Sequence, residues 1–181
     1  LIRAVGINPT RTGLLEILRL MGADIRLLAS RDCGGEPVAD LEVRPGPLRG
    51  IAVPHELVAS AIDEFPVLFA AAAVAEGETV VTGAAELRVK ESDRIAVMAD
   101  GLQRVGVHAE VLPDGMRIRG GAVGGGVVES RGDHRIAMAF AVLAARAIRP
   151  VLIRDVRHVA TSFPGFAATA RGAGLLLGED G

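Results

Sequence analysis

The chain has no Trp, no Tyr and only five Phe among its 181 residues, so it lacks the aromatic platforms on which single-stranded nucleic acids stack. It also lacks an excess of either charge: 20 Lys and Arg stand against 22 Asp and Glu, a formal net charge of -2. A nucleic-acid or membrane-binding surface calls for a basic excess or a basic stripe, so any anion must be bound locally. Long apolar runs are missing too. The longest, from Val67 to Ala75, is about half of what a membrane span needs, and no charged, apolar and small-residue signal pattern opens the chain. The expectation is a soluble, cytoplasmic protein. Its single cysteine, Cys33, excludes an internal disulfide and fits a reducing compartment. It lies in the Gly-rich loop Asp32-Cys33-Gly34-Gly35 with no base or cation beside it, and reads as a bystander thiol. Leu1 is no natural initiator and apolar residues follow at once, which reads as a fragment of a longer protein.

What is present is half hydrophobic, enough for one domain over residues 1–181 with a core of Ala, Val, Leu and Ile. One pattern recurs: a turn, a polar capping residue, an amphipathic helix closed by Gly, then a strand. Asn8-Pro9-Thr10-Arg11 leads into Leu14 to Met21, Gly22 and the strand Ile25–Leu28. Asp63-Glu64-Phe65-Pro66 opens an Ala-rich helix to Ala75 that Gly77 ends before Thr79–Val81, with Pro66 tolerated in the first turn. Ser92-Asp93-Arg94 opens a helix closed by Gly106 before Val107–Val111, and Asp133-His134-Arg135 opens one to Ala147 before Val151–Ile153. Ser162-Phe163-Pro164 opens the last, which stops at Gly172 or Gly174 before Leu175–Leu177. Aligning Asp63–Val111 on Asp133–Leu177 gives self-similarity at about 70 residues, a duplicated αβαβ-type unit rather than a solenoid. Between the units the pattern predicts hairpin-like strands, Leu41–Arg44 with Gly50–Val53, and Met116–Arg119 after the turn Pro113-Asp114-Gly115. The Gly120 to Gly126 cluster precedes a strand-like Val127-Val128 and reads as a loop rather than a phosphate cradle. The fold class is α/β with repeats.

The helix starts carry the chemistry, because each exposes unpaired backbone N-H groups and the positive end of the helix dipole. Here they also carry Arg11, Arg94 and Arg135. An arginine in a first turn opposes the dipole, and a bound anion supplies the offsetting benefit. Lys90 and Arg94 stand four apart and can converge on one ligand, with Glu91 between them as a proton-handling group. The site suits a small polyanion. Spacing alone equally allows solvated charges on a helix surface, an N-cap role for Asp63 and a surface position for His134. His55, His108 and His158 show no metal-ligand spacing, and no metal site is implied.

Val89-Lys90-Glu91-Ser92-Asp93-Arg94 resembles the V-K-E-(S/T)-D-R signature of 5-enolpyruvylshikimate-3-phosphate (EPSP) synthases, and Asp133-His134-Arg135-Ile136-Ala137-Met138 resembles their D-H-R-(I/M)-A-M. Ile62-Asp63-Glu64-Phe65-Pro66 and Thr161-Ser162-Phe163-Pro164 match two further family segments, in order and at similar spacing. Asn8-Pro9-Thr10-Arg11-Thr12-Gly13 looks like the N-x-T-R element of the class II branch, whose members are often tolerant of glyphosate.

The resemblance covers essentially the whole chain. It implies the carboxy-terminal domain of the two-domain enolpyruvyl transferase inverse-barrel fold, built of repeated βαβαββ units, with an amino-terminal partner domain missing. It further implies transfer of the enolpyruvyl group of phosphoenolpyruvate to the 5-hydroxyl of shikimate 3-phosphate, releasing phosphate, without a cofactor or a nucleic-acid or membrane partner. By resemblance Asp63 is the proton acceptor and a shikimate 3-phosphate contact. Glu91 is the proton donor, and Lys90 contacts shikimate 3-phosphate and shares proton transfer. Arg94 and Arg135 clamp phosphoenolpyruvate, with His134 alongside. The isolated chain is then expected to fold but to be inactive alone, with a basic, exposed cleft-facing surface. Two positions depart from the pattern: Thr161 stands where some members carry a lysine that contacts phosphoenolpyruvate, and Glu86 where an asparagine contacts shikimate 3-phosphate. The alternatives are the enolpyruvyl transferase of UDP-N-acetylglucosamine, favoured only by Cys33, and a catalytically silent binding module of the same fold.

Overall fold

The computed structural model describes residues 1–178. Its first sheet combines β1 (Ile2–Gly6), β2 (Asp24–Cys33) and β3 (Glu36–Arg44) in the antiparallel order β1-β3-β2. Helix α1 (Gly13–Leu20) connects β1 to β2. The second sheet repeats this plan with β4 (Glu78–Val81), β5 (His108–Leu112) and β6 (Gly115–Arg119) in the order β4-β6-β5, with α4 (Arg94–Arg104) between β4 and β5. Ahead of it come a short α2 (His55–Val58), a 3-10 segment Ala59–Glu64 and α3 (Phe65–Ala72). Ala52 pairs in parallel with Val80 across α3. A third unit starts in the same way: β7 (Gly126–Glu129) and β8 (Val151–Arg154) are parallel, joined by the crossover helix α5 (His134–Ala144). Helices α6 (Arg157–Ser162) and α7 (Phe166–Gly172) follow.

The duplication read at about 70 residues therefore corresponds to α3-β4-α4 matched on α5-β8-α7. The β1-α1-β2-β3 segment adds a partial third copy of the β4-α4-β5-β6 pattern. Gly22 and Gly106 take the chain out of α1 and α4 at φ +97° and +86°, a conformation that costs a glycine nothing.

Helices α3, α4 and α5 form the inside of the fold. Phe65, Leu68 and Phe69 of α3, Ile95, Met98 and Leu102 of α4, and Ile136, Phe140 and Leu143 of α5 join one buried cluster with Met116 and Ile118 of β6. Pro66 sits in the first turn of α3, where its missing N-H breaks no bond. The shared core holds α3, α4 and α5 with their amino-terminal ends together, and that places the site.

Three sequence expectations are corrected. Leu41–Arg44 pairs with β2 through the tight Gly34-Gly35 turn, not with Gly50–Val53, which lies beside β4. The apolar alternation of both segments is real, but a two-residue turn of two glycines at φ +68° and +87° fixes the closer partner. The last helix, α7, stops at Gly172 as expected but opens at Phe166, after Pro164, because Ser162 instead ends a separate helix, α6, that the pattern did not show. Leu175–Leu177 forms no strand among the described residues, and Leu176 is fully exposed.

Candidate active site

Asp63 is the next-to-last residue of the 3-10 segment before α3, and the cap position of that helix, Glu64, makes no side-chain capping bond. Asp63 is the point on which four cations from three separate stretches converge. Arg11 donates Nη1 to Asp63 Oδ2 at 3.1 Å and Nη2 to Glu64 Oε1 at 3.0 Å. Lys90 Nζ lies 3.7 Å from Asp63 Oδ1, Arg94 Nη1 3.9 Å from the same oxygen, and Arg135 Nη2 3.8 Å from Oδ2. Arg135 Nη1 also donates to the Asp63 backbone carbonyl at 3.0 Å, tying the start of α5 to the start of α3. Partial burial pushes the Asp63 carboxyl up, but the Arg11 hydrogen bond and the charges of Arg135 and Lys90 outweigh it and hold its pKa below the ordinary value.

Arg94 is the least accessible of these cations, with a side chain 1% exposed. Its Nε donates to Asp133 Oδ2 at 2.9 Å and its Nη2 to Glu91 Oε2 at 2.6 Å, and its buried Nη1 has no hydrogen-bond partner among the described residues. Asp133 is fully buried and caps α5, accepting from the backbone N-H groups of Arg135 and Ile136. It also accepts from Ser92 Oγ at 3.0 Å. Burial raises its pKa, and the Arg94 hydrogen bond and charge, with Ser92 and Ile136, bring it below the ordinary value. The two motifs, some forty residues apart in sequence, are thus one structure joined by a buried Arg94–Asp133 pair.

The remaining sequence-derived residues fall around this pair. Glu91 is half exposed and lines an open pocket with Ser92, Asp93 and Arg131. Lys90 follows a 3-10 turn, Ala85–Val89, and pairs with Glu86 one helical turn back. That hydrogen bond and Glu86's charge, with Asp63's, hold the Lys90 pKa above its ordinary value against a lowering from desolvation. His134 is the first residue of α5 and makes no hydrogen bond or ion pair among the described residues. Thr161 lies in exposed α6. Past Asp63 and Arg135 the surface turns apolar, with Pro66, Met138, Phe163 and Phe166 lining a groove. Among the described residues no three His, Cys, Asp or Glu side chains gather to hold a metal ion, and no helix is long and apolar enough to cross a membrane.

Arg11 departs from the sequence expectation. It sits in a separate 3-10 turn, Pro9–Arg11, capped by Asn8, while α1 begins only at Gly13, so no helix dipole opposes its charge. Nor is the cationic surface bare: Arg11, Lys90, Arg94 and Arg135 all lie within ion-pair distance of a carboxylate. Sequence reasoning missed Asp133 as an anchor, Ser92 as its second donor and Glu64 as Arg11's second partner. Asp133 showed only the signal of an N-cap, which it is. The four-residue spacing of Glu86 and Lys90 was a usable signal for their pairing.

With this geometry in hand, comparison with known proteins gives a consistent answer. The EPSP synthase (3-phosphoshikimate 1-carboxyvinyltransferase) family model matches residues 1–169. Among curated relatives, the 3-phosphoshikimate 1-carboxyvinyltransferase of Methylococcus capsulatus is 64% identical over 174 residues, covering 96% of this chain and 40% of its own length. That of Alkalilimnicola ehrlichii is 65% identical over 174 residues, covering 96% and 39%. The chain thus spans about 40% of the length of the curated relatives it matches. A solved EPSP synthase from Acinetobacter baumannii superposes with a TM-score of 0.93 at 52% identity, over 96% of this chain and 41% of that one. The enolpyruvyl transferase NikO from Streptomyces tendae, at 18% identity and TM-score 0.61, covers 91% of this chain and 35% of its own, and shares the fold. Four motifs in order, one enolpyruvyl transferase fold and a family match over nearly the whole chain lead to one conclusion: the chain belongs to the EPSP synthase family.

Proposed function

We propose that this chain works as one domain of a 3-phosphoshikimate 1-carboxyvinyltransferase, with an amino-terminal domain supplying the other half of the site. The reaction moves the enolpyruvyl group of phosphoenolpyruvate onto the 5-hydroxyl of shikimate 3-phosphate. The observation that carries this reading is the convergence of Arg11, Lys90, Arg94 and Arg135 on the single carboxylate of Asp63. Two dense anions must be held side by side in such a reaction, and a proton must leave a hydroxyl between them.

Asp63 takes the proton of the 5-hydroxyl as its oxygen bonds to C2 of phosphoenolpyruvate, while Glu91, with Lys90 beside it, protonates the methylene carbon. The C2–O bond to phosphate then breaks and the methyl group returns a proton, releasing inorganic phosphate. Lys90 and Arg135 approach the Asp63 carboxylate only at ion-pair distance, beyond hydrogen-bond reach, although Arg135 Nη1 also holds the Asp63 backbone carbonyl. A bound phosphate or carboxylate draws them off, and Asp63 gains basicity where the hydroxyl lies. Arg94 offers phosphoenolpyruvate its one uncommitted nitrogen, Nη1. A two-pronged contact requires Glu91 to release Nη2, which couples clamping to the freeing of the proton donor. His134, half-buried at the start of α5, stands alongside Arg135.

The class II character suggested by Asn8-Pro9-Thr10-Arg11, and a cytoplasmic location, belong to the same proposal. Cys33 ends β2 at an exposed hairpin tip, and no hydrogen bond or ion pair ties it to Asp63, so nothing favours the UDP-N-acetylglucosamine enzyme. The test is phosphate release from phosphoenolpyruvate with shikimate 3-phosphate by the complete enzyme. Asp63→Ala and Glu91→Ala each lower kcat by about 10²- to 10⁴-fold. Retained kcat with only KM changed rejects both roles.

A further inference from the structure

We propose that the segment Asn8–Gly13 is a positioning element for Asp63, with Arg11 acting on the reaction through that carboxylate rather than by touching substrate. The inference rests on the reading of Asp63 as the proton acceptor. Its physical basis starts at Asn8, whose side-chain oxygen accepts from Thr10 N at 3.0 Å and Thr10 Oγ1 at 2.8 Å, while its carbonyl accepts from Arg11 N at 2.8 Å. These bonds close the Pro9–Arg11 turn and fix the point from which the Arg11 side chain departs.

Gly13 supplies the second, independent observation. It is buried at the start of α1, and a Cβ there would lie 2.9 Å from both Ala61 N and Leu57 O. Only a glycine lets the start of α1 rest against the Leu57–Glu64 strip, the stretch that ends in Asp63 and Glu64. Arg11 therefore meets those carboxylates from a base registered against their own backbone. Its planar fork then bridges both, Nη1 to Asp63 and Nη2 to Glu64. A fork spanning two carboxylates fixes the rotation of each, which a point charge does not.

Asp63 also faces Lys90, Arg94 and Arg135. Lys90 is shared with Glu86, and Arg94 with Glu91 and Asp133. Arg11 alone hydrogen-bonds the Asp63 carboxylate itself among the described residues. It is therefore the cation that keeps Asp63 ionised and aimed when substrate anions engage the others. Without it the Asp63 pKa moves back up, and the group stays protonated to higher pH.

The experiment uses the complete enzyme with Arg11→Gln, Arg11→Lys and Asp63→Asn. In Arg11→Gln the acid limb of the kcat profile moves to higher pH. Plateau kcat falls by up to about 10²-fold, the scale of a misplaced reacting group, while KM for phosphoenolpyruvate does not follow. Arg11→Lys keeps the charge but not the fork, so it restores the acid limb more than the plateau. A readout independent of activity is the carbon-13 titration of the Asp63 carboxyl, assigned by difference from Asp63→Asn, whose midpoint rises in Arg11→Gln. An unmoved midpoint overturns the inference, and so does an unmoved acid limb in an enzyme that Asp63→Asn inactivates. If Asp63→Asn keeps its kcat, the proton-acceptor reading fails instead, and the carboxyl titration still decides whether Arg11 governs Asp63. Gly13→Ala, which pushes α1 off the strip, shifts the acid limb in the same direction as Arg11→Gln.

Discussion

At the start of α4, Asp93 caps the helix by accepting from Ala96 N at 3.0 Å, and in its half-exposed position takes Arg88 as its ionic partner at 2.7 Å. At the start of α5, Asp133 caps in the same way, but it is fully buried and its partner is Arg94 from the other helix. The arginines that follow are divided likewise. Arg94 is locked inside the domain, whereas Arg135 is about one-third exposed and reaches over to Asp63. One local signal, an aspartate before a helix with an arginine in its first turn, thus serves two purposes. The α4–α5 pair sets the framework, and the Arg135–Asp63 contact stays partly open to solvent.

The sharpest way to break this comparison is to remove the two caps separately. Asp133→Ala leaves Arg94 buried without its carboxylate and should cost about 3–5 kcal/mol. Urea denaturation of the chain measures it. The same pair should make stability pH-dependent: a carboxyl whose folded pKa lies below its ordinary value contributes stability above the ordinary carboxylate range and loses it as pH falls through the folded pKa. Asp133→Asn should flatten that acid limb.

A smaller effect separates the two arginines. If both hold phosphoenolpyruvate, Arg94→Lys and Arg135→Lys each raise KM for it in the complete enzyme by about tenfold or more, the value of a charge-assisted bond of roughly 1.5–3 kcal/mol. Stability should then part them. Arg94→Gln destabilises the chain by orphaning Asp133, while Arg135→Gln loses a bond to the Asp63 carbonyl but frees a helix amino terminus of a cation, and the two effects largely offset. Equal melting shifts for the two would erase the distinction between framework and site. Asp93→Ala costs far less than Asp133→Ala, about 1 kcal/mol for a lost cap, because its half-exposed pair with Arg88 adds little. A loss as large as that of Asp133→Ala would mean that burial is not what separates the two caps.

Helices α3, α4 and α5 were legible in sequence because their start and stop signals are local. Asp93 and Asp133 cap where expected, Pro66 falls in a first turn and Gly106 closes α4. The strand Leu41–Arg44 was recognised by its alternation but given the wrong partner, since an apolar alternation states which face is buried and not which strand lies beside it. Leu175–Leu177 read as a strand on propensity, which has no force without a neighbour to supply hydrogen bonds.

For the site, the motifs marked Asp63, Lys90, Glu91, Arg94, His134 and Arg135, yet nothing in their spacing gave Arg94 to Asp133 or Arg11 to Asp63 and Glu64. By itself the sequence determined what each short stretch does: where helices begin and end, which faces are apolar, and that cations gather at helix starts. Those outcomes depend on backbone hydrogen bonds and side chains within one or two turns. Only the tertiary structure decided which carboxylate each cation meets, because ion pairing between residues separated by tens of positions requires the common core of α3, α4 and α5 to bring their amino termini together. It also decided which of those pairs water can reach: the Arg94–Asp133 pair is sealed in the core, and the Arg135–Asp63 contact is not.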